Sequence, residues 1–160
     1  MERVPLLCND LPIGENAVET YKTYHTTLSK ETRGNGHTID LTADLQQAIR
    51  ESGIREGIAV LFVIGSTAAL TTMEYEPGLV SDLQRALEEV APTHASYAHE
   101  ARWGDDNGHA HVRASLLGPS LTVPIVQGQA TLGTWQQVVL IDFDTRPRQR
   151  RVQIQMLGVP

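Results

Sequence analysis

The stretch from Ile58 to Ile64 most constrains how this chain can fold. It contains seven consecutive apolar residues, four of them β-branched, and a glycine flanks it at each end. A continuous apolar run of this length is typical of a strand that is covered on both faces. The sequence therefore predicts a sheet with this strand at its centre. No apolar run in the chain approaches the length needed to cross a bilayer.

Shorter segments around this strand predict the other elements. Patterns typical of strands occur at 21–29, 37–41, 68–74, 121–126, 137–143 and 151–156. The first two strands flank a glycine-rich turn, so they are expected to pair as a hairpin. With two principal helices, this order predicts a compact α+β domain whose sheets are mostly antiparallel. Residues 1–16 are expected to form a partly ordered leader and residues 17–160 a single domain.

Both helices have recognisable boundaries. Thr42 is expected to cap the first helix, and Gly53 is placed to end it. Pro77 fits the first turn of the second helix, which Pro92 ends at the preceding residue. The apolar stripe of the second helix is expected to contain Leu79, Leu83, Leu87 and Val90.

Charge and cysteine content limit the partners of the chain. Its formal net charge of −6 argues against nucleic acid and against an anionic membrane surface. The single cysteine, Cys8, excludes an internal disulfide and fits a reducing cytoplasm. Near the end of the chain, a group of arginines is expected to decorate a solvated strand edge rather than to face a phosphate. These are Arg146, Arg148, Arg150 and Arg151.

The segment richest in reactive side chains lies between 97 and 111. His109 and His111 are two residues apart, and on a strand this spacing would place both rings on one face, close enough to share a divalent ion. His99 could add a third nitrogen, and Asp105 or Asp106 an oxygen. The alternatives are a solvated strand surface for the histidines and a tight turn for residues 105–108.

Three further places could hold a ligand. Gly65, Ser66 and Thr67 follow the central strand directly, where backbone N–H groups and hydroxyls could bind phosphate oxygens, although a simple bulge fits as well. Arg113 and Ser120 could add phosphate contacts. Trp135 could stack on a planar ligand, but an anchor in the core or at an interface is the favoured interpretation.

Five ordered motifs resemble the YjbQ family, also called the UPF0047 family. They are Gly-Ser-Thr-Ala at 65–68, Glu-x-Glu-Pro-Gly-Leu at 74–79, Asn-Gly-His-Ala-His at 107–111, Gly-Pro-Ser-Leu-Thr-Val-Pro at 118–124 and Leu-Gly-Thr-Trp-Gln-Gln at 132–137. The resemblance spans about residues 20–158, which is nearly the whole chain.

This resemblance implies a compact α+β domain that assembles as a homotrimer. Members of the family are commonly labelled secondary thiamine-phosphate synthases. Carried over by motif, the expected site positions are His99, Asn107, His109, His111, Ser120 and Trp135. One position departs from the family pattern, because many relatives have a histidine where this chain has Gly65.

Two classes of function follow. As an enzyme, the chain would join two phosphorylated substrates, with His99, Asn107 and His111 as catalytic residues and Ser66, Thr67, Arg113, Ser120 and Trp135 binding substrate. The metal ligands would be His99, His109, His111 and Asp106, holding zinc, magnesium or manganese. The alternatives are a non-catalytic protein that binds a metal ion or an anion, and a metal-dependent hydrolase.

Overall fold

The computed structural model describes residues 20–160, so the predicted leader over 1–16 and the first residues of the predicted domain lie outside the described part of the chain. The helices are α1 (Thr42–Ser52), α2 (Pro77–Val90), α3 (Ala98–Trp103) and α4 (Gly108–Leu117). The strands are β1 (Lys22–Thr32), β2 (His37–Asp40), β3 (Glu56–Ile64), β4 (Ala68–Met73), β5 (Ser120–Val126), β6 (Gln129–Ala130), β7 (Gln137–Asp142) and β8 (Arg148–Val159). Within this part, no helix is long and apolar enough to cross a membrane.

Two antiparallel sheets form the framework, which confirms the predicted fold class. The larger sheet has the order β1-β8-β3-β5-β6, and the smaller one has the order β2-β7-β4. As predicted, β3 is an interior strand, paired with β8 on one side and β5 on the other. Helix α1 packs Leu45, Ala48 and Ile49 into the core that this sheet shares with the smaller one.

The prediction that β3 is covered on both faces is wrong for the isolated chain. Ala59, Leu61 and Val63 point into the core and are fully buried. Alternate residues point the other way, because successive side chains of a strand face opposite sides of the sheet. Together with neighbours on β5 and β8, they leave an exposed apolar face that consists of Ile58, Phe62, Ile64, Val126 and Leu157.

The predicted hairpin between the first two strands does not form. Strand β1 pairs along its whole length with β8, whereas β2 pairs with β7 in the other sheet. The turn between them is fastened elsewhere, since Asn35 N donates to Asp144 O at 2.7 Å and Gly36 N to Asp142 O at 2.8 Å. Gly34 has a φ of 72°, and a Cβ there would lie 2.2 Å from Asp144 O, so the turn needs glycine.

Helix α1 begins and ends where predicted, although its first turn is held differently. Thr42 does not cap the helix; its N–H donates to Asp40 Oδ1 at 2.8 Å, and its hydroxyl accepts from Val138 N at 2.9 Å. Gly53 ends the helix in the left-handed conformation with a φ of 67°. The threonine therefore ties the helix start to β7.

Helix α2 has the predicted bounds but a narrower buried face. Pro77 occupies its first turn, and the carboxylate of Glu76 accepts from the N–H groups of the same turn. Leu87 is 7% exposed and Leu83 is half-buried, whereas Leu79 and Val90 are 37% and 66% exposed. The prediction that these two residues belong to the buried stripe is wrong, because the helix packs through the face that carries Val80, Leu83 and Leu87.

Helices α3 and α4 were not expected, since the prediction contained only two principal helices. Their sequence has few large apolar residues, and α4 buries small ones, Ala110 and Ala114, against the smaller sheet. The two helices also approach closely at Gly108, where a Cβ would lie 2.4 Å from Tyr97 Cβ. Small residues at a close contact give no strong hydrophobic periodicity, so the sequence pattern does not reveal these two helices.

The burial of α2 yields a matched test. Leu87→Ala should lower the free energy of unfolding by about 2–5 kcal/mol, because it leaves a cavity in a packed cluster. Leu79→Ala, on the exposed side of the same helix, should cost less than about 1 kcal/mol. Urea unfolding of both variants measures the difference, and equal losses would mean that α2 faces the sheet differently.

Candidate functional site

Helix α4 separates the two histidines that the sequence placed together. Residues two apart on an α-helix point about 200° apart around its axis. His109 is accordingly 2% exposed on one side of α4, while His111 is half-buried on the other. The prediction that their rings share one face is wrong, because it assumed a strand where the chain is helical.

His111 instead meets His99, which lies on α3. Their ring centroids are 4.4 Å apart, with the ring planes tilted by 48°. His99 Nε2 lies 3.4 Å from Asp105 Oδ2. Gly104 makes this contact possible, since its φ of 70° ends α3 and turns the chain back toward the histidine. We call His99, His111 and Asp105 the imidazole cluster.

Burial sets the charge of this cluster. It lowers the pKa of His111, and the neighbouring His99 lowers it further, while the carboxylates of Asp105 and Asp144 act in the opposite direction. His111 is therefore mainly neutral near pH 7. Asp105 Oδ1 and Asn107 Oδ1 are both buried and have no hydrogen-bond partner within residues 20–160. A neutral imidazole thus lies in a cluster with, and close to, oxygens that could still accept hydrogen bonds.

The imidazole cluster borders a cleft of about 160 Å³ on the side of His111. The turn after β3 forms the opposite wall, so Ser66 and His111 lie at the same cleft. Ser66 is exposed, and its hydroxyl is open to a ligand. The cleft is lined by Gly65, Ser66, Ala68, His111, Ala114, Ser115 and Pro119.

Thr67 points away from this cleft into a buried polar network. Its hydroxyl donates to Asp144 Oδ2 at 3.0 Å and accepts from Arg150 Nη2 at 2.6 Å. Arg150 also binds Asp142 through two hydrogen bonds, at 2.7 and 2.6 Å. The prediction of a solvated arginine edge is therefore wrong for Arg150, which is buried.

Gly65 fits this network because it has no side chain. Its φ is 153°, and a Cβ there would lie 2.8 Å from Arg150 Nη1. Arg150 thus fills the space beside residue 65, the position at which this chain departs from the family pattern by having glycine. A side chain at this position requires the guanidinium to move.

The remaining residues predicted for the site lie elsewhere. Asp106 accepts from the Thr145 hydroxyl at 2.9 Å and faces solvent. Ser120 donates to Leu61 O at 3.1 Å, and Trp135 is 71% exposed, which rules out a core position within the described chain. None of these three side chains lines the cleft at His111.

Arg113 lies four residues after His109 and on the same side of α4. Its guanidinium donates to Ala91 O at 3.0 and 2.7 Å and pairs with the carboxylate of Glu88. Hydrogen bonds from Thr93 N and Oγ1, together with the one from Arg113, lower the pKa of Glu88 to about 2. Arg113 is thus part of the packing between α2 and α4, away from the imidazole cluster.

The predicted metal ligands do not converge. His99 and His111 are together, but His109 faces the other side of α4 and Asp106 faces solvent. Among residues 20–160, no three histidine, cysteine, aspartate or glutamate side chains are grouped so that they could hold a metal ion. The four-ligand set therefore does not fit a single ion in this chain.

Three residues have a larger part in the site than the sequence indicated. Asp105 rather than Asp106 contacts His99, and Asp144 and Arg150 lie beneath the Gly65 turn. The signal for the latter two was present as two acids at 142 and 144 followed by two arginines at 148 and 150. Asp142 ends β7 of the smaller sheet and Arg150 lies on β8 of the larger one, so these opposite charges pair between the two sheets.

Comparison with known proteins places the chain in a family. Residues 26–159 match the family described as UPF0047 protein YjbQ-like. The chain belongs to the YjbQ/UPF0047 family. A UPF0047 protein of Methanothermobacter thermautotrophicus is 42% identical over 122 residues, which cover 76% of this chain and 83% of that protein. The UPF0047 protein YugU of Bacillus subtilis is 34% identical over 134 residues, covering 82% and 98%.

Solved structures of YjbQ/UPF0047 proteins agree with the fold. A YbjQ-like protein of unknown function from Sulfolobus solfataricus superposes with a TM-score of 0.83 at 32% identity, covering 87% of this chain and 99% of that one. A YjbQ/UPF0047 protein from Clostridium acetobutylicum gives 0.75 at 34% identity, covering 82% and 98%. The fold that the motifs implied is confirmed.

The buried histidines predict how stability depends on pH. Burial lowers the pKa of His109 and His111 below the ordinary 6.5, so the unfolded chain binds more protons than the folded one just below that value. Their contribution is complete above about pH 6.5 and is lost as the pH falls through the folded values. His111→Gln should therefore reduce the loss of unfolding free energy between about pH 7.5 and 5.5.

Urea unfolding at both pH values measures this loss. His94→Gln is the matched control, because His94 is exposed, and it should leave the pH dependence as it is in the unchanged protein. An identical loss in His111→Gln would contradict the assigned environment of His111.

Proposed function

We propose that the imidazole cluster and its cleft form the active site of an enzyme that acts on small phosphorylated substrates. The candidate reaction is the thiamine-phosphate synthase-like transfer that the family resemblance implies. One observation carries the proposal: two histidines from different helices meet with their centroids 4.4 Å apart, and a carboxylate contacts one of them. Titratable groups assembled in this way at a cleft are typical of sites that move protons or stabilise charge.

Each group has a separate role in this proposal. Asp105 orients His99 through the contact between its Oδ2 and His99 Nε2. His111, mainly neutral near pH 7, donates from one ring nitrogen to the substrate. The exposed hydroxyl of Ser66 and the N–H groups of its turn bind phosphate oxygens. Asn107 positions His111, since its carbonyl accepts from His111 N at 3.3 Å at the start of α4.

The transfer needs charge stabilisation more than proton abstraction. The thiazole nitrogen forms a bond to the pyrimidine methylene while the bond from that carbon to the pyrophosphate oxygen breaks. The electron pair of the broken bond goes to pyrophosphate, and N–H donors at His99 and His111 stabilise its growing negative charge. Small phosphorylated substrates of this kind fit the reducing cytoplasm that the single cysteine, Cys8, favours.

A non-catalytic metal-binding protein is the second candidate. The buried, unpaired oxygens of Asp105 and Asn107 beside two imidazoles are its support, because such groups are of the kind that zinc, magnesium or manganese takes. Since no three such side chains of residues 20–160 are grouped to hold an ion, this candidate needs a further ligand from outside them. In this version His99 and His111 are the protein nitrogens that bind the ion, whereas His109 and Asp106 are not ligands. A metal-dependent hydrolase would need the same ion.

Variants of the two histidines distinguish these candidates. If the site is catalytic without a metal, His99→Gln and His111→Gln should each lower turnover with the pyrimidine and thiazole phosphates by about 10²- to 10⁴-fold. Removal of divalent ions with a chelator should leave the activity of the unchanged protein intact. Circular dichroism should show that both variants remain folded.

The control is His94→Gln, which replaces an exposed histidine away from the cleft. Full turnover in His111→Gln would reject the catalytic role. Absence of turnover in every protein, together with zinc binding that is lost in His99→Gln and His111→Gln, would instead favour the metal-binding candidate.

We also propose that the chain forms a homotrimer, as the resemblance implies. The exposed apolar face of β3, β5 and β8 supports a partner, because soluble monomers rarely leave a contiguous apolar sheet face uncovered. Burial of Phe62 and its neighbours by another copy would also complete the two-sided cover that the sequence of β3 predicts.

Assembly can be measured directly. Light scattering should give about three times the 17.6 kDa of one chain, because apolar burial drives association. Phe62→Asp should shift the protein toward monomer, since it places a charge in the apolar face, whereas Val90→Asp, at an exposed apolar residue of α2 outside this face, should do so less. A monomer at micromolar concentration in the unchanged protein would contradict the proposal.

A further inference from the structure

The opposite side of α4 contains a second cavity, which the proposed active site does not use. Its volume is about 160 Å³, and it lies between α2, α4 and the turn after β1. His109 and Arg113 form one wall, Gln84 and Glu88 another, and Asn35 and Phe143 close the remaining sides. Because His111 and His109 point to opposite sides of the helix, this cavity and the cleft are separate.

His109 lines this cavity, and one of its ring nitrogens is unsatisfied. Its side chain is almost fully buried, and Nδ1 has no hydrogen-bond partner within the described residues. Buried ring nitrogens of histidine normally have a partner, because leaving one unpaired forfeits the hydrogen bond that it makes in water. The nearest aromatic ring, that of Tyr97, is 6.4 Å away between centroids and provides no such bond.

The other polar groups decide which kind of ligand fits. Glu88 has both oxygens occupied, since Oε1 accepts from Thr93 N and Oε2 from the Thr93 hydroxyl and Arg113. Arg113 makes its described hydrogen bonds through Nε and Nη2, so Nη1 keeps donor capacity among residues 20–160. The amide of Asn35 also makes no side-chain hydrogen bond there. The walls therefore keep unused nitrogen donors at Arg113 and Asn35, beside the amide oxygens of Asn35 and Gln84.

We infer that this cavity binds a small oxyanion, with carboxylate or phosphate oxygens accepting from His109, Arg113 and Asn35. The negative charge of Glu88 does not prevent anion binding, because Arg113 compensates it. Both carboxylate oxygens of Glu88 also already accept hydrogen bonds from Thr93 and Arg113. His109 takes up a proton when the anion binds, which converts Nδ1 and Nε2 into donors and adds a compensating charge. The apolar edge formed by Leu87 and Phe143 limits the ligand to a compact one.

The charged groups around His109 determine the pH dependence. Burial and the charge of Arg113 lower the pKa of His109 in the empty cavity, whereas Glu88, Glu100 and Asp106 act in the opposite direction. A bound anion acts in the same direction as these carboxylates and raises the pKa of His109. By linkage, the anion then binds more tightly at lower pH.

The test is a nuclear magnetic resonance titration of the full chain with sodium phosphate and with sodium acetate at constant ionic strength. The ring signals of His109, assigned by their loss in His109→Gln, should shift and saturate, and the apparent affinity should rise as the pH falls. His94, which is exposed, is the internal control and should not show a saturating shift. Saturation with phosphate alone, or with acetate alone, identifies which oxyanion fits.

Two variants test the walls. Asn35→Gly removes the amide but keeps the positive φ of 52°, and it should weaken binding by about two- to tenfold. Arg113→Lys should weaken it by about tenfold or more, because the charged donor moves. Its chemical shifts elsewhere show whether it remains folded.

A His109 signal that never saturates, or equal affinity in Asn35→Gly and the unchanged protein, would overturn the inference and leave a cavity that holds only water. The signals of His111 report anion binding at the cleft separately. Failure of the proposed active site is therefore distinguishable from failure of this second site.

Discussion

The buried pairing of Arg150 with Asp142 is the interaction on which the arrangement of this molecule depends. Arg150 belongs to the larger sheet and Asp142 to the smaller one, and two short hydrogen bonds join them where both side chains are buried. The hydroxyls of Thr32 and Thr67 complete the set of contacts. Loss of one partner would leave an uncompensated charge in the interior, so the two sheets and the turn after β3 are fixed relative to one another.

Asp144 extends this network toward the cleft. Burial raises the pKa of Asp144, but hydrogen bonds from Arg148 and Thr67 outweigh that effect and keep the carboxyl ionised. Its charge in turn favours the protonated form of His111. The same set of side chains therefore holds the sheets together and adjusts the electrostatic environment of the imidazole cluster.

The sequence predicted those features that follow from hydrophobic periodicity and from glycine and proline residues at the ends of helices. The apolar run at 58–64 gave the central strand, and Gly53 and Pro77 marked helix boundaries. It missed α4, because this helix buries the small residues Ala110 and Ala114 and leaves its larger ones, Val112 and Leu116, exposed. That single omission moved His109 to the wrong side of the site.

Local sequence patterns also could not predict which strands pair or which charged residues form ion pairs. The turn at Gly34 looked like a hairpin, yet its hydrogen bonds lead to a segment more than a hundred residues later. Arginines near the end of a chain are usually solvated, and only the register of β8 against its neighbours brings Arg150 beneath Thr67. Such contacts depend on the whole topology, which residue types alone do not specify.

The close approach of Gly65 and Arg150 has a consequence for how this family diversifies. A Cβ at position 65 and this guanidinium conformation exclude each other, since only 2.8 Å would separate them. A side chain at position 65 therefore requires this guanidinium to move, so the residues that the two positions accept depend on each other. The two positions are 85 residues apart in the chain, yet the residues at them should covary among relatives.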